Sequence, residues 1–169
     1  AYVMMAFRIA WFKVYYPLAF YAAYFYRRSQ KGGFDAVLMT RGMEAIQANM
    51  EAIENNENAT DKDEDLLTTM EVVYEYYLRG FEFLPIDIYK SHATKFLIQD
   101  GKLLPPFVSI SGLGENAAWD LMNGREGKTF ISIEEVALAC PKVSKTHIQM
   151  LKDAGAFGSL PDTSQISLF

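Results

Sequence analysis

The sequence predicts a mainly α-helical protein: a helical first half, a short β-hairpin near residue 100, two turn-plus-helix units, and an extended tail. Three observations predict this. Apolar residues recur at helical spacing through most of the first 80 positions. Asp100-Gly101 lies between two apolar runs, a strong hairpin-turn signal. Ser111-Gly112-Leu113-Gly114 and Lys142-Val143-Ser144-Lys145, about thirty residues apart, each lead straight into a helical pattern.

The chain has 169 residues, enough for one domain with a good core or two small ones. Its formal net charge of -5 argues against a generic basic nucleic-acid binder. The charge is unevenly spread: +4 over residues 1–40, -8 over 41–75 and -1 from 76 onward. Any DNA contact is therefore expected to be local and made largely by backbone groups. A single cysteine, Cys140, excludes a disulfide within the chain and a cysteine zinc cluster. It is expected to be a small packing residue. A reducing, cytoplasmic setting fits, and there is no signal-peptide layout. Residues 1–26 are very apolar, but Arg8, Lys13 and Pro17 interrupt them, so no membrane span is expected. The sequence opens on Ala1 in mid-pattern, as a piece of a longer polypeptide would.

Residues 2–13 are apolar on all sides except at Arg8 and Lys13, which predicts a helix buried on most faces. Pro17 then suits the first turn of a second helix, running to about Arg28. Its Phe20, Tyr21, Tyr24 and Phe25 are expected in the core, and Arg27 and Arg28 complement its dipole. A third helix is expected over 35–54, capped by Asp35. Thr60 should cap a fourth. The acids Asp61, Asp63, Glu64 and Asp65 in its first turn are a dipole complement rather than a metal site. Gly80 should stop it. Ala93–Ile98 and Leu103-Leu104 are the expected hairpin strands, joined through Gln99–Lys102 and ended by Pro105-Pro106. Further helices follow over 115–123, after a capping box at Ser132–Glu135, and after Ser144 as N-cap, with Gly155 the final stop. His92 and His147 are expected to be structural or exposed.

The candidate binding residues are Ser111, Gly112, Leu113, Gly114, Glu115 and Asn116, then Lys142, Val143, Ser144 and Lys145. Glycines either side of Leu113 let the backbone take positive φ and approach a partner closely. A helix opening after such a turn aims unpaired N–H groups and its positive dipole end at an anion. The second turn lacks glycines but has two lysines. Two such units could hold two phosphate tracks of a duplex, independently of base sequence and weakened by salt.

The tail from residue 161 reads as extended and accessible. Its last residues, Gln165, Ile166, Ser167, Leu168 and Phe169, place two large apolar side chains next to a glutamine. Burying each would contribute roughly 1.5–3 kcal/mol, enough after ordering costs for about micromolar binding to a partner.

The paired turns resemble a tandem helix-hairpin-helix element. The first departs from the usual pattern in Ser111, where Pro is common, and in Glu115, an anion at the proposed phosphate site. The pentapeptide 165–169 is similar to the sliding-clamp-binding peptide of bacterial replication proteins, with Ile166 in place of the usual Leu. Together with Tyr89–Phe96, Leu104–Phe107, Gly158–Asp162 and Phe12–Phe25, these motifs resemble the C-terminal part of the PolC-type DNA polymerase III α subunit over essentially the whole chain. The terminal position of the peptide favours the PolC type over DnaE-type relatives. The resemblance implies a parent that extends a primer with palm aspartates and two Mg²⁺ ions and carries a 3′–5′ exonuclease, none of whose catalytic residues lie here. It implies three parts: residues 1–88 as helical support following the fingers, 89–160 gripping primer-template duplex, and 161–169 binding the β sliding clamp. The alternative is a non-enzymatic helix-hairpin-helix DNA-binding or repair scaffold protein.

Overall fold

The computed structural model describes residues 1–164; the pentapeptide Gln165–Phe169 lies outside the described residues. In order, the elements are α1 (Tyr2–Tyr15), α2 (Pro17–Ser29), α3 (Ala36–Met39), α4 (Met43–Glu54), α5 (Asp61–Leu78), β1 (Leu97–Gln99), β2 (Lys102–Leu104), a 3₁₀ turn (Phe107–Ser109), α6 (Glu115–Gly124), α7 (Ile133–Ala139) and α8 (Lys145–Asp153).

The expected burial of α1 is not what the structure shows. None of its residues is buried, and Tyr2 is 88% exposed. Its C-terminal end meets the rest of the described chain. There Lys13 Nζ reaches Glu75 at 2.6 Å, and Phe12 meets Phe20 edge-on. An apolar composition says that a helix needs cover, not where the cover comes from. Pro17 occupies the first turn of α2 as expected. Tyr21 and Phe25 are fully buried, whereas Phe20 and Tyr24 are only partly so. Tyr21 donates to Glu75 Oε1 at 2.7 Å. Its hydroxyl pKa is pushed up to about 12, by burial first and then by this bond.

The single helix expected over 35–54 is two. Gly42 takes φ 102°, outside any helix, and splits α3 from α4. Asp35 caps α3 by accepting from the Val37 amide at 2.9 Å. Thr60 and Asp63 form a full capping box on α5, which occupies part of the acidic first turn. Gly80, at φ 82°, follows its end.

The hairpin pairs Leu97 with Leu104, Ile98 with Leu103 and Gln99 with Lys102. Asp100 and Gly101 both take positive φ, 52° and 73°, as a tight two-residue turn requires. The first strand is shorter than expected. The Thr94 and Lys95 amides donate to His92 Nδ1 instead of to a ladder. On its far side Leu103 receives the extended segment after α5: its carbonyl accepts from the Leu84 amide at 2.8 Å.

One hydrophobic core runs through both halves of the chain. Phe96 lies 5.9 Å from Phe25 and 5.0 Å from Phe34, centroid to centroid. The C-terminal helices are tied to this core by the Ile88 amide, which donates to the Ala156 carbonyl at 2.9 Å. The first glycine turn is thereby fixed against the N-terminal helices.

Candidate nucleic-acid interface

The first hairpin is set by a buried peg and a bare N-terminus. The Leu113 side chain is buried and its amide donates to the Ile110 carbonyl, so the turn is closed by its own backbone. Gly112 takes φ 89°, and a Cβ there would lie 2.8 Å from Met150 Cε. The positive φ is what calls for glycine in the turn, and the Met150 side chain packs against its bare Cα. Gly114 is the N-cap of α6 and has no side chain to turn back onto the first amides. The Ala118 amide is the first to bond within the helix, to Gly114. The amides of Glu115, Asn116 and Ala117 therefore have no acceptor among the described residues. Ser111, Gly112, Gly114, Glu115 and Asn116 are all exposed. The Glu115 carboxylate accepts from the Trp119 indole N–H at 3.2 Å.

The second hairpin spends more of its donors internally. The Lys142 amide donates to Asp120 Oδ2 at 2.7 Å, which holds the second turn against α6. Val143 is buried and its amide bonds to Cys140. Ser144 Oγ accepts from the His147 amide, and His147 Nδ1 accepts from the Ser144 amide, both at 3.2 Å. This is a capping box with histidine in the usual place of Glu. The open amides here are those of Lys145 and Thr146. Sequence reasoning centred the donors on Val143–Lys145, missed Thr146, and had no signal for His147 beyond its spacing from Ser144. Lys142 and Lys145 are exposed beside these donors.

α7 lies between the two and has its own N-terminus covered. Ser132 caps it from one side by accepting from the Glu135 amide, but the expected capping box is incomplete. Glu135 Oε2 takes the Ile131 amide at 2.9 Å, one residue too early. The carbonyls of Pro161 and Asp162 accept from the Ile133 and Glu134 amides at 2.9 and 3.2 Å. Lys152 Nζ pairs with Asp162 at 2.5 Å. The tail expected to be free from residue 161 is thus tied down over its first two residues, because a helix start offers carbonyls unpaired donors.

A cleft of about 730 Å³ opens beside the first turn. Ser111–Glu115 line one side, and Gln30, Lys62 and Thr94 lie among its other residues. Among the described residues no three His, Cys, Asp or Glu are grouped to hold a metal ion. No helix among the described residues is long and apolar enough to cross a membrane.

Residues 80–166 match the helix-hairpin-helix family. The chain belongs to the helix-hairpin-helix family. Over its whole length the chain is also similar to proteins named DNA polymerase III PolC-type. Identity is 45% with that of Thermotoga maritima, 49% with that of Caldanaerobacter subterraneus subsp. tengcongensis and 45% with that of Clostridium perfringens. The chain spans about 12% of the length of these relatives. The matched helix-hairpin-helix residues include both turns with open amides and the three short helices α6, α7 and α8.

Proposed function

We propose that the chain is a segment of a replicative DNA polymerase that holds the primer-template duplex by its phosphates and tethers the enzyme to the sliding clamp. The observation that carries this reading is the bare start of α6, where three amides, those of the exposed Glu115 and Asn116 and the buried Ala117, and the helix dipole converge without an internal acceptor among the described residues. Such donors attract phosphate without reading bases, which suits an enzyme that must hold any sequence. Similarity over the whole of this chain to proteins named DNA polymerase III PolC-type favours this over a stand-alone repair scaffold.

The parent enzyme would carry DNA synthesis, its Mg²⁺ ions and a 3′–5′ exonuclease in other segments. The remaining polymerase would cover the exposed apolar face of α1, continuous with the fingers. Gln165, Ile166, Ser167, Leu168 and Phe169 would bind the clamp.

The test uses the first residue of α6. Gly114 has φ -72° and ψ 162°, a conformation that accepts a following proline, and proline is tolerated at a first helical position. Glu115→Pro removes one phosphate donor and the carboxylate; Glu115→Ala removes the carboxylate alone. We expect Glu115→Pro to bind duplex about tenfold more weakly than Glu115→Ala, as for loss of one hydrogen bond to a charged group. Equal affinities would mean that this helix start does not touch DNA.

A further inference from the structure

The cleft beside the first hairpin has walls from two distant parts of the chain. One wall is the glycine turn with the start of α6. The other comes from the end of α2, with Gln30, and the first turn of α5, with Lys62. Lys62 is exposed and has no ion-pair partner among the described residues. Two of its acidic neighbours have hydrogen-bond or ion-pair partners of their own, although Asp63 also feels the Lys62 charge. Asp63 Oδ2 accepts from the Thr60 amide and hydroxyl, and Asp65 pairs with Arg28. Asp61 and Glu64 are not among the residues lining the cleft.

Lys62 is also out of place for its helix. A cation in a first turn opposes the helix dipole, and this turn is otherwise acidic. In the cleft it has a use. The carboxylate among the lining residues is Glu115, which weakens any site for an anion. Lys62 offsets that charge, and the open amide of Glu115, at the positive end of the α6 dipole, then leaves the cleft attractive to phosphate.

Resting on the duplex-holding reading above, we propose that Lys62 is a phosphate contact of the same site, supplied by the N-terminal helices across the cleft from Ser111–Glu115. Gln30 adds a neutral donor on the same wall. The duplex track is therefore not confined to the helix-hairpin-helix region, and it runs over the joint between the two halves of the chain.

The test is binding of a labelled duplex of about 20 base pairs over a series of salt concentrations. Lys62→Met keeps most of the side chain and removes the charge. The slope of log K against log salt should become shallower by about 0.9, the value for one phosphate contact. Affinity near 0.1 M salt should fall about fivefold, and Lys62→Arg should restore both. An unchanged slope in Lys62→Met, with Glu115→Pro and Glu115→Ala still well separated, would overturn the assignment of Lys62 and leave the hairpin site standing. Equal binding by the two Glu115 variants would remove the hairpin reading and this inference with it.

Discussion

His92 shows how one side chain can shape a turn. Its Nδ1 accepts from the Thr94 and Lys95 amides at 3.0 and 3.1 Å, and its ring stands edge-on to Trp119. Burial, then the charges of Lys95 and Arg125, hold its pKa below the ordinary value of 6.5. A histidine with a depressed pKa favours the fold in its neutral form. Its contribution is complete above pH 6.5 and is lost as pH falls through the lower folded value. His92→Asn keeps an acceptor that does not titrate. Melting curves should show the wild type losing stability relative to His92→Asn as pH is lowered from about 8 to about 5; parallel losses would show that the Nδ1 bonds are dispensable. The roles of Gly112, Ser144 and Gly155 were legible in the sequence because each answers a local backbone demand. Lys62, Thr146 and the Asp120 cap on Lys142 were not, because their meaning depends on which distant segment lies opposite.

At the scale of elements, the periodic helices and the Asp100-Gly101 turn were legible, but partnership was not. α1 reads in the sequence as a helix buried on most faces and yet exposes Tyr2, Val3, Phe7 and Val14. Hydrogen exchange should find α1 strongly protected in the full-length polymerase and at least tenfold faster in the 169-residue chain; equal rates would mean that the remaining polymerase does not cover it. Close packing was equally hidden. A Cβ on Gly124 would sit 2.5 Å from Cys140 Sγ and 2.9 Å from the Ala139 carbonyl, so this glycine sets how near α6 lies to the end of α7. Nothing in the local pattern around Gly124 distinguishes it from a helix stop. Cys140 itself is the packing residue the sequence suggested, with burial pushing its thiol up to about 11.

At the scale of the molecule, one core fixes the hairpin region against the N-terminal helices, so the first glycine turn, Glu115 and Lys62 line one cleft. The start of the tail is pinned to α7 and α8 through Pro161, Asp162 and Lys152, close to the helices that present the second hairpin. Two modest contacts on one chain combine through effective concentration, and a short, anchored tether keeps that concentration high. The architecture was largely legible because local propensities and turn chemistry agree with it. The candidate site was legible as backbone and as Lys142 and Lys145, but not in Lys62, which comes from a distant element. The central claim is that this segment joins duplex holding to clamp binding. The most direct measurement is dissociation of the full-length polymerase from a clamp-loaded duplex, for wild type, Phe169→Ala and Glu115→Pro. The account predicts that Phe169→Ala weakens clamp binding at least tenfold, an amount available from burying one aromatic side chain. It predicts that each variant leaves the complex faster than wild type, and that the double variant leaves fastest. Wild-type residence times for Phe169→Ala and Glu115→Pro would contradict it.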